Sequence, residues 1–393
     1  MTSLSTTDNT TPDAVVPART DLLGLTVTEM AAWLAERGQP AFRAKQLAGW
    51  IYTSLVPDFA AMRNLPVALR EQLEREASIA GPQVRAEVKA KDGRTRKLLL
   101  ELADGRLIET VLMLYPASGE SRARATVCVS TQAGCAYGCT FCATGQMGFD
   151  RHLTSGEIVA QVLHFARELR AQPWQAPDGE AIDRVSNLVF MGMGEPFHNY
   201  DNTLRAVRIL NMPEGLNIGA RHMTISTVGL VPGILRLAEE PLQVNLAISL
   251  HAPNDEMRLK TMPVTRKYPI AQVLDACRQY VARTNRQVTF EYVLLAGVND
   301  APEHARELAT LLSPLHHLCH VNLIPVNKTA ASYAVPSGEA IRAFRETLRA
   351  GGVSNSVRAE RGDDIAAACG QLSTHERRTR AVSADTSANN TAS

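Results

Sequence analysis

Cys135, Cys139 and Cys142 stand close together in the segment Cys-Ala-Tyr-Gly-Cys-Thr-Phe-Cys, in a stretch that Gly134 and Gly138 leave free to bend. Three thiolates so spaced can hold three irons of a cubane cluster and leave the fourth iron open to a small chelating ligand. An open iron is a reactive iron. The competing chemistry is a structural zinc site, which prefers four closed ligands and paired C-x2-C elements, and only His152 lies near enough in sequence to complete a tetrahedron.

Further polar groups sit where strand-like runs end. Asn187 to Met191 runs straight into Gly192-Met-Gly194-Glu195-Pro196, where glycines permit close backbone approach and Glu195 can accept hydrogen bonds from an ammonium group. Alone, such a turn needs no ligand; the cysteines give it weight. Ser226, Ser249-Leu250-His251 and Asn327 likewise follow apolar runs and offer polar atoms to a ribose or a carboxylate, although each taken singly reads as a turn residue. The other cysteines divide by context. Cys277 shares a helical face with Ile270, Val273, Leu274 and Val281, and Cys319 precedes an apolar strand, so both read as packing. Alternation in Thr126 to Ser130 sets Cys128 on the face opposite Val127 and Val129, which in a barrel is the lumen. Cys369 ends the small-residue run Asp363-Asp-Ile-Ala-Ala-Ala368 before Gly370, a helix C-cap signal that leaves the thiol little covered. A functional reading stays open for both.

The elements that must position these residues follow from periodicity. Residues 1–22 and 373–393 are polar and read as disordered tails, and residues 23–80 carry a helical pattern with Met30, Leu34, Phe42, Leu47, Trp50 and Ile51 on its apolar side. Residues 81–122 read as two or three antiparallel strands separated by Asp92-Gly93 and Asp104-Gly105 turns. From 123 to 372, six apolar runs alternate with helical patterns: Thr126 to Ser130, Asn187 to Met191, His222 to Ser226, Val244 to Ser249, Val288 to Leu295 and His320 to Ile324. That alternation predicts a parallel α/β core, a partial barrel, whose chemistry gathers at the carboxyl ends of the strands.

The triad resembles the C-x3-C-x-Φ-C signature of radical S-adenosylmethionine (SAM) enzymes, with Phe141 at the aromatic position. In that superfamily the amino and carboxylate groups of SAM chelate the open iron of a 4Fe-4S cluster, and an electron from the cluster cleaves SAM to a 5′-deoxyadenosyl radical. A closer resemblance covers about Leu25 to Leu372. The blocks QLAGWIYTSLVPDFAAMRNLP, IETVLML, TVCVSTQAGCAYGCTFCATGQMGF, NLVFMGMGEP, ISTVGLVPGI, VNLAISLHAPND, PVNKTAASY and RGDDIAAACGQL are similar, in that order, to the RlmN/Cfr family of RNA adenine methyltransferases.

This resemblance implies a partial (β/α)6 radical SAM barrel with a small helical domain and a short antiparallel extension. It implies that Cys135, Cys139 and Cys142 hold the cluster, that Cys369 carries a methyl group, that Cys128 resolves the adduct through a disulfide with Cys369, and that Glu109 accepts the C2 proton. SAM, two molecules per turnover, is then contacted at Gly194, Glu195, Ser226, Ser249, Leu250, His251 and Asn327. The implied substrates are an adenosine of 23S rRNA and, second, tRNA, with flavodoxin or ferredoxin as electron donor and a monomeric enzyme. Methylation at carbon 8, as in the Cfr branch, is the alternative product; Gly194-Glu195-Pro196 and Arg361-Gly-Asp-Asp364 look more like the C2 branch.

Bulk properties constrain this little. Lys and Arg total 41 against 40 Asp and Glu, so RNA contact must come from local patches and not from a global field. Candidates are Arg43, Lys45, Arg63 and Arg70 of the helical unit and Lys89, Lys91, Arg94, Arg96 and Lys97, with Trp50 and Tyr52 to stack a base. The absence of a secretory signal or an apolar run of membrane-spanning length predicts a soluble cytoplasmic protein. Seven cysteines, an odd count with three clustered, argue for metal or redox chemistry in a reducing compartment. A reading from another class is a non-catalytic RNA-binding or ribosome-assembly protein with a structural metal site.

Overall fold

In the computed structural model of the protein, residues 19–119, 121–177, 179–327, 333–358, 363–367 and 371–372 are described below. Helix α1 (Val27–Ala35) starts where Thr26 accepts from the Glu29 backbone and Glu29 Oε2 accepts from the Thr26 N–H at 2.8 Å, a reciprocal cap. With α2 (Phe42–Ala48) and α3 (Val67–Glu76) it buries Met30, Leu34, Leu47, Ile51, Leu69 and Leu73. Phe42, expected on that apolar side, is instead 56% exposed beneath the Arg43 guanidinium. Thr20–Asp21 pairs in parallel with Ala77–Ser78, and Leu22 and Leu23 are buried, because they close the base of the helical unit.

A single ten-stranded sheet carries the rest. Its strands are β1 (Gln83–Lys89), β2 (Thr95–Glu101), β3 (Leu107–Tyr115), β4 (Arg124–Cys128), β5 (Asn187–Phe190), β6 (Met223–Thr227), β7 (Asn245–Ser249), β8 (Val288–Leu294), β9 (Cys319–Pro325) and β10 (Asn355–Val357). Neighbours in space follow that order. The pairs from β1 to β4 are antiparallel and those from β4 to β10 parallel, an open, incomplete barrel. The six expected core strands are present. A seventh, β10, was not legible because Asn-Ser-Val carries no apolar run.

Helices α4 (Ser155–Ala171), α5 (Tyr200–Asn211), α6 (Val231–Glu239), α7 (Asp255–Thr261), α8 (Ile270–Thr284), α9 (Pro302–Leu312) and α10 (Gly338–Ala350) fall between the parallel strands. Val127, Leu188, Met223, Leu246 and Phe290 are buried on one face. The alternate residues, Thr224, Thr289, Glu291 and Asn322 among them, line a polar lumen. Cys277 and Cys319 are both buried in the core, as packing requires.

The helical unit is locked to the sheet at the N-terminus of α4. Ser155 Oγ donates to Gly24 O at 3.2 Å, and Asp21 lies so close to Gly156 that a Cβ there would strike its carboxylate. Asp21 Oδ1 accepts from the Leu23 N–H, yet burial pushes this carboxyl up to about 6. Among the described residues no helix is long and apolar enough to cross a membrane.

Candidate active site

The cysteine loop leaves the end of β4 between two short antiparallel strands, Gln132–Gly134 and Phe149–His152. Gly134 has φ +77°, and a Cβ there would collide with Gly148 O, while Cys135 N–H donates to that same oxygen at 2.7 Å. A side chain at 134 would therefore open the base of the loop. Cys142 N–H closes back on Cys139 O at 3.1 Å, and Thr140 N–H reaches Thr261 O of α7 at 2.9 Å. None of the three cysteines is joined in a disulfide.

All three thiols line one cavity of about 150 Å³ at the carboxyl ends of the parallel strands, together with Gly194, Glu195, Ser226, Ser249, His251 and Asn327. Sequence reasoning had named each of these. Leu250, by contrast, is fully buried and is not among the residues that line this cavity; its N–H donates to Glu291 O at 3.1 Å. Burial, helped by the neighbouring Cys142, pushes the Cys135 thiol up to about 12, and burial raises Cys139 as well, so loading a metal here must release protons. No three His, Cys, Asp or Glu side chains among the described residues converge to hold a single ion. Three sulfurs facing a shared space fit a cluster with one iron per sulfur better than a closed zinc tetrahedron. His152, the fourth ligand such a zinc would need, has its Nδ1 on Gln132 Nε2 at 2.9 Å and its ring edge-on to His198.

The polar wall is held rigidly. Gly192 passes so close to Val129 O that any Cβ would clash, and Gly194, at φ +98°, lies against Gln132. Glu195 is buried, with Oε1 accepting from Phe197 N–H at 3.0 Å and Oε2 from Val228 N–H at 2.8 Å. Burial outweighs those bonds and pushes its carboxyl up to about 7. His251 takes a left-handed φ of +58°, and its Nδ1 accepts from Val293 N–H at 3.0 Å, which puts the proton of the neutral ring on Nε2. Burial lowers this imidazole to about 3, so it is neutral at any working pH.

Glu109 and Cys128 are not among the lining residues of that cavity. Pairing of Val111 with Cys128 on β3 and β4 puts both residues on one face of the sheet, and Cys128 is in register with Val189, which lines the lumen. Glu109 is buried and ion-paired to Lys97 at 3.0 Å. Lys97 Nζ also donates to Ala366 O at 3.0 Å, and Thr144, which lines the cavity, donates to Leu372 O at 2.7 Å. Cys369, which falls between Ala366 and Leu372 in the sequence, lies outside the described residues.

The RNA candidates sort by exposure. Tyr52 is buried with its hydroxyl on Leu23 O, so it is a core residue and not a stacking one; the aromatic ring counts for packing here. Arg96 is paired with Glu87 and Glu168, Lys97 with Glu109, Lys45 with Glu214, and Arg70 donates to Ala60 O. Lys91 and Arg63 are exposed. Among the residues of the site that escaped sequence reasoning are Glu291 and Arg358, in the cavity wall, and Arg258, behind it.

Comparison with known proteins agrees with this geometry. The radical SAM superfamily matches residues 129–309, and the ribosomal RNA large subunit methyltransferase N-terminal domain matches residues 20–79. A probable dual-specificity RNA methyltransferase RlmN of Roseiflexus sp. (strain RS-1) is 51% identical over 391 residues, covering 90% of this chain and 96% of that protein. Its counterpart in Chloroflexus aurantiacus is 52% identical over 358 residues, covering 88% and 90%. The crystal structure of a radical SAM methyltransferase from Sphaerobacter thermophilus superposes with a TM-score of 0.83 at 51% identity, over 90% of this chain and 99% of that one.

Proposed function

The chain belongs to the RlmN family of radical SAM RNA methyltransferases, and on that premise we propose that it methylates carbon 2 of an adenosine in 23S rRNA and in tRNA. The observation that carries the reading is the convergence of three thiols with Glu195, Ser226, Ser249, His251 and Asn327 on one cavity at the strand ends. Cys135, Cys139 and Cys142 would hold a 4Fe-4S cluster, which when bound with SAM supplies the electron for reductive cleavage of SAM.

The remaining steps belong to side chains of this protein. Glu195, fixed by two backbone N–H groups, keeps lone pairs for the N–H groups of the SAM amino group. His251 offers Nε2–H as a donor, and Ser226, Ser249 and Asn327 offer polar atoms to the ribose and carboxylate. Carbon 2 of adenine lies between two ring nitrogens and is electron-poor, so direct displacement on SAM is closed to it. The methyl therefore passes first to Cys369. Once the 5′-deoxyadenosyl radical has taken one hydrogen from that thiomethyl, its carbon adds to C2 of the base, and the resulting radical gives up one electron, which a bound cluster would accept. Glu109 then takes the C2 proton, and the Cys128 thiolate attacks the Cys369 sulfur and breaks its bond to the carbon, which leaves with the electron pair and takes a proton to complete the methyl group, so that a Cys128–Cys369 disulfide remains. Support for this division of labour is that Glu109 and Cys128 share a sheet face, and that Lys97 holds both Glu109 and the backbone of Ala366.

The test is anaerobic reconstitution followed by iron and sulfide analysis, 5′-deoxyadenosine detection with a reductant, and mass spectrometry of digested RNA. Methyl on C2 is expected. Methyl on C8 would overturn the product assignment, and zinc without SAM cleavage would overturn the enzyme.

A further inference from the structure

Among the described residues Arg258, on α7, is the largest fully buried side chain, and its hydrogen bonds there run to backbone carbonyls and one hydroxyl, not to a carboxylate. Nε donates to Leu250 O at 3.2 Å, Nη2 to Val228 O at 2.6 Å and Ser249 O at 3.2 Å, and Nη1 to Tyr268 O at 3.2 Å and Thr265 Oγ1 at 3.4 Å. A cation taken out of water is costly to keep and survives only where its donors are satisfied. Here the acceptors are the carbonyls of two neighbouring strand-end loops, one after β6 and one after β7, and the turn before α8.

Two of those carbonyls, of Val228 and Ser249, belong to residues of the cavity wall. The Val228 peptide accepts from Arg258 through its oxygen and donates through its N–H to Glu195 Oε2 at 2.8 Å. Ser249 and Leu250 immediately precede His251. One planar guanidinium thus connects Glu195, by way of Val228, to Ser249 and His251 across the cavity. A lysine ammonium at this place would keep the charge but not the fork.

We propose that Arg258 is a positioning residue that sets the spacing of Glu195, Ser249 and His251 for SAM. The inference rests on the SAM-dependent reading above and adds a residue that touches neither SAM nor the cluster. It is tested on anaerobically reconstituted full-length protein as wild type, Arg258→Lys, Arg258→Gln and Thr265→Val, by iron content, melting temperature and equilibrium dialysis against SAM.

Both Arg258 variants are expected to keep wild-type iron content and to bind SAM at least about tenfold more weakly, the loss of one charged hydrogen bond or more. KM for SAM should rise correspondingly. Thr265→Val, which removes the bonds of Thr265 Oγ1 to Arg258 Nη1 and to Met262 O and leaves Val228, Ser249 and Leu250 bonded to the guanidinium, should lower the melting temperature and leave SAM affinity unchanged. Arg258 variants that melt early yet bind SAM as wild type does would overturn the proposal, since a purely structural arginine behaves that way.

If neither Arg258 variant is recovered folded, hydrogen exchange on the wild type decides. Segments 226–230, 249–252 and 256–260 should gain protection together on SAM addition, and independent responses overturn the coupling. Wild-type protein that holds the cluster but binds no SAM would strike the functional reading itself, a different outcome from either.

Discussion

Glu195→Gln separates what the carboxylate does for SAM from what it does for the loop. The wild-type carboxyl titrates near 7 because burial opposes its charge. The ionised form offers lone pairs to the amino group of SAM, so the wild type's advantage in affinity over the Gln variant should rise with pH through about 7. An amino group that chelates iron is unprotonated, so its own deprotonation, near 8 for an ordinary α-amino group, strengthens binding to wild type and variant alike and cancels in their ratio. At pH 6 roughly a tenth of the sites are ionised, and that advantage should be about tenfold below its plateau.

Glutamine removes the charge, which costs about 1.5–3 kcal/mol for a hydrogen bond to a charged group, or about 10- to 150-fold in Kd. It also turns one acceptor into a donor. Both carboxylate oxygens accept from backbone N–H groups, of Phe197 and Val228, so the amide nitrogen must face one of them. That mismatch should lower the stability of the apoprotein by about 1–3 kcal/mol. The assay is equilibrium dialysis of reconstituted protein from pH 6 to 8.5, paired with urea unfolding. A ratio of variant to wild-type Kd that does not fall about fivefold between pH 7 and 6 would show that Glu195 is not the titrating acceptor, and unchanged affinity would remove it from SAM binding.

Cys128→Ala should accumulate a covalent RNA adduct on denaturing gels, whereas Cys369→Ala should form neither adduct nor product; an active Cys369→Ala enzyme refutes the two-cysteine scheme. Asp21 tests the lock between the helical unit and the sheet: its carboxyl is raised from 3.8 to about 6 by burial, so its contribution to stability is full below about 4 and lost as pH rises through about 6. The loss is roughly 3 kcal/mol, which exceeds the ~1 kcal/mol that the N-terminus of α4 returns to a negative charge. Asp21→Asn should therefore raise the urea midpoint at pH 7.5 and flatten its pH dependence, and a lower midpoint would mean the helix terminus dominates. Lys91→Glu with Arg94→Glu should weaken RNA binding and shallow its salt dependence with little change in melting temperature, because Lys91 is exposed and Arg94 half-buried; binding unchanged at every salt concentration removes this edge from the interface.

What the sequence made legible was local chemistry at predictable places. Cysteine spacing is a property of the chain alone, and strand ends are marked by apolar runs that stop at Gly, Ser or Asn. Hence Gly194, Ser226, Ser249, His251 and Asn327 could be named together before any fold was known, and they share one cavity. What depends on how elements pack was not legible. Tyr52 has the composition of a stacking residue but is buried, and Arg96 and Lys97 look like a basic run but face Glu87, Glu168 and Glu109.

Arg258 shows why that boundary falls where it does. Nothing in Asn254-Asp-Glu-Met-Arg258-Leu-Lys260 separates the buried arginine from Lys260, which is paired to Glu256 on the surface. The difference appears only when α7 is laid beneath the ends of β6 and β7, where the carbonyls of Val228, Ser249 and Leu250 converge on it. Strand-end loops are irregular by necessity, since they must expose side chains to a ligand, and irregular backbone leaves carbonyl groups that a regular ladder would have satisfied. A buried guanidinium, with five donors in a fixed fork, answers that need at several loops together. The polar wall that binds and the cation that braces it are consequences of the same break in the sheet. A residue of this second kind is therefore found by following unsatisfied carbonyls outward from the site, and not by scanning for reactive side chains.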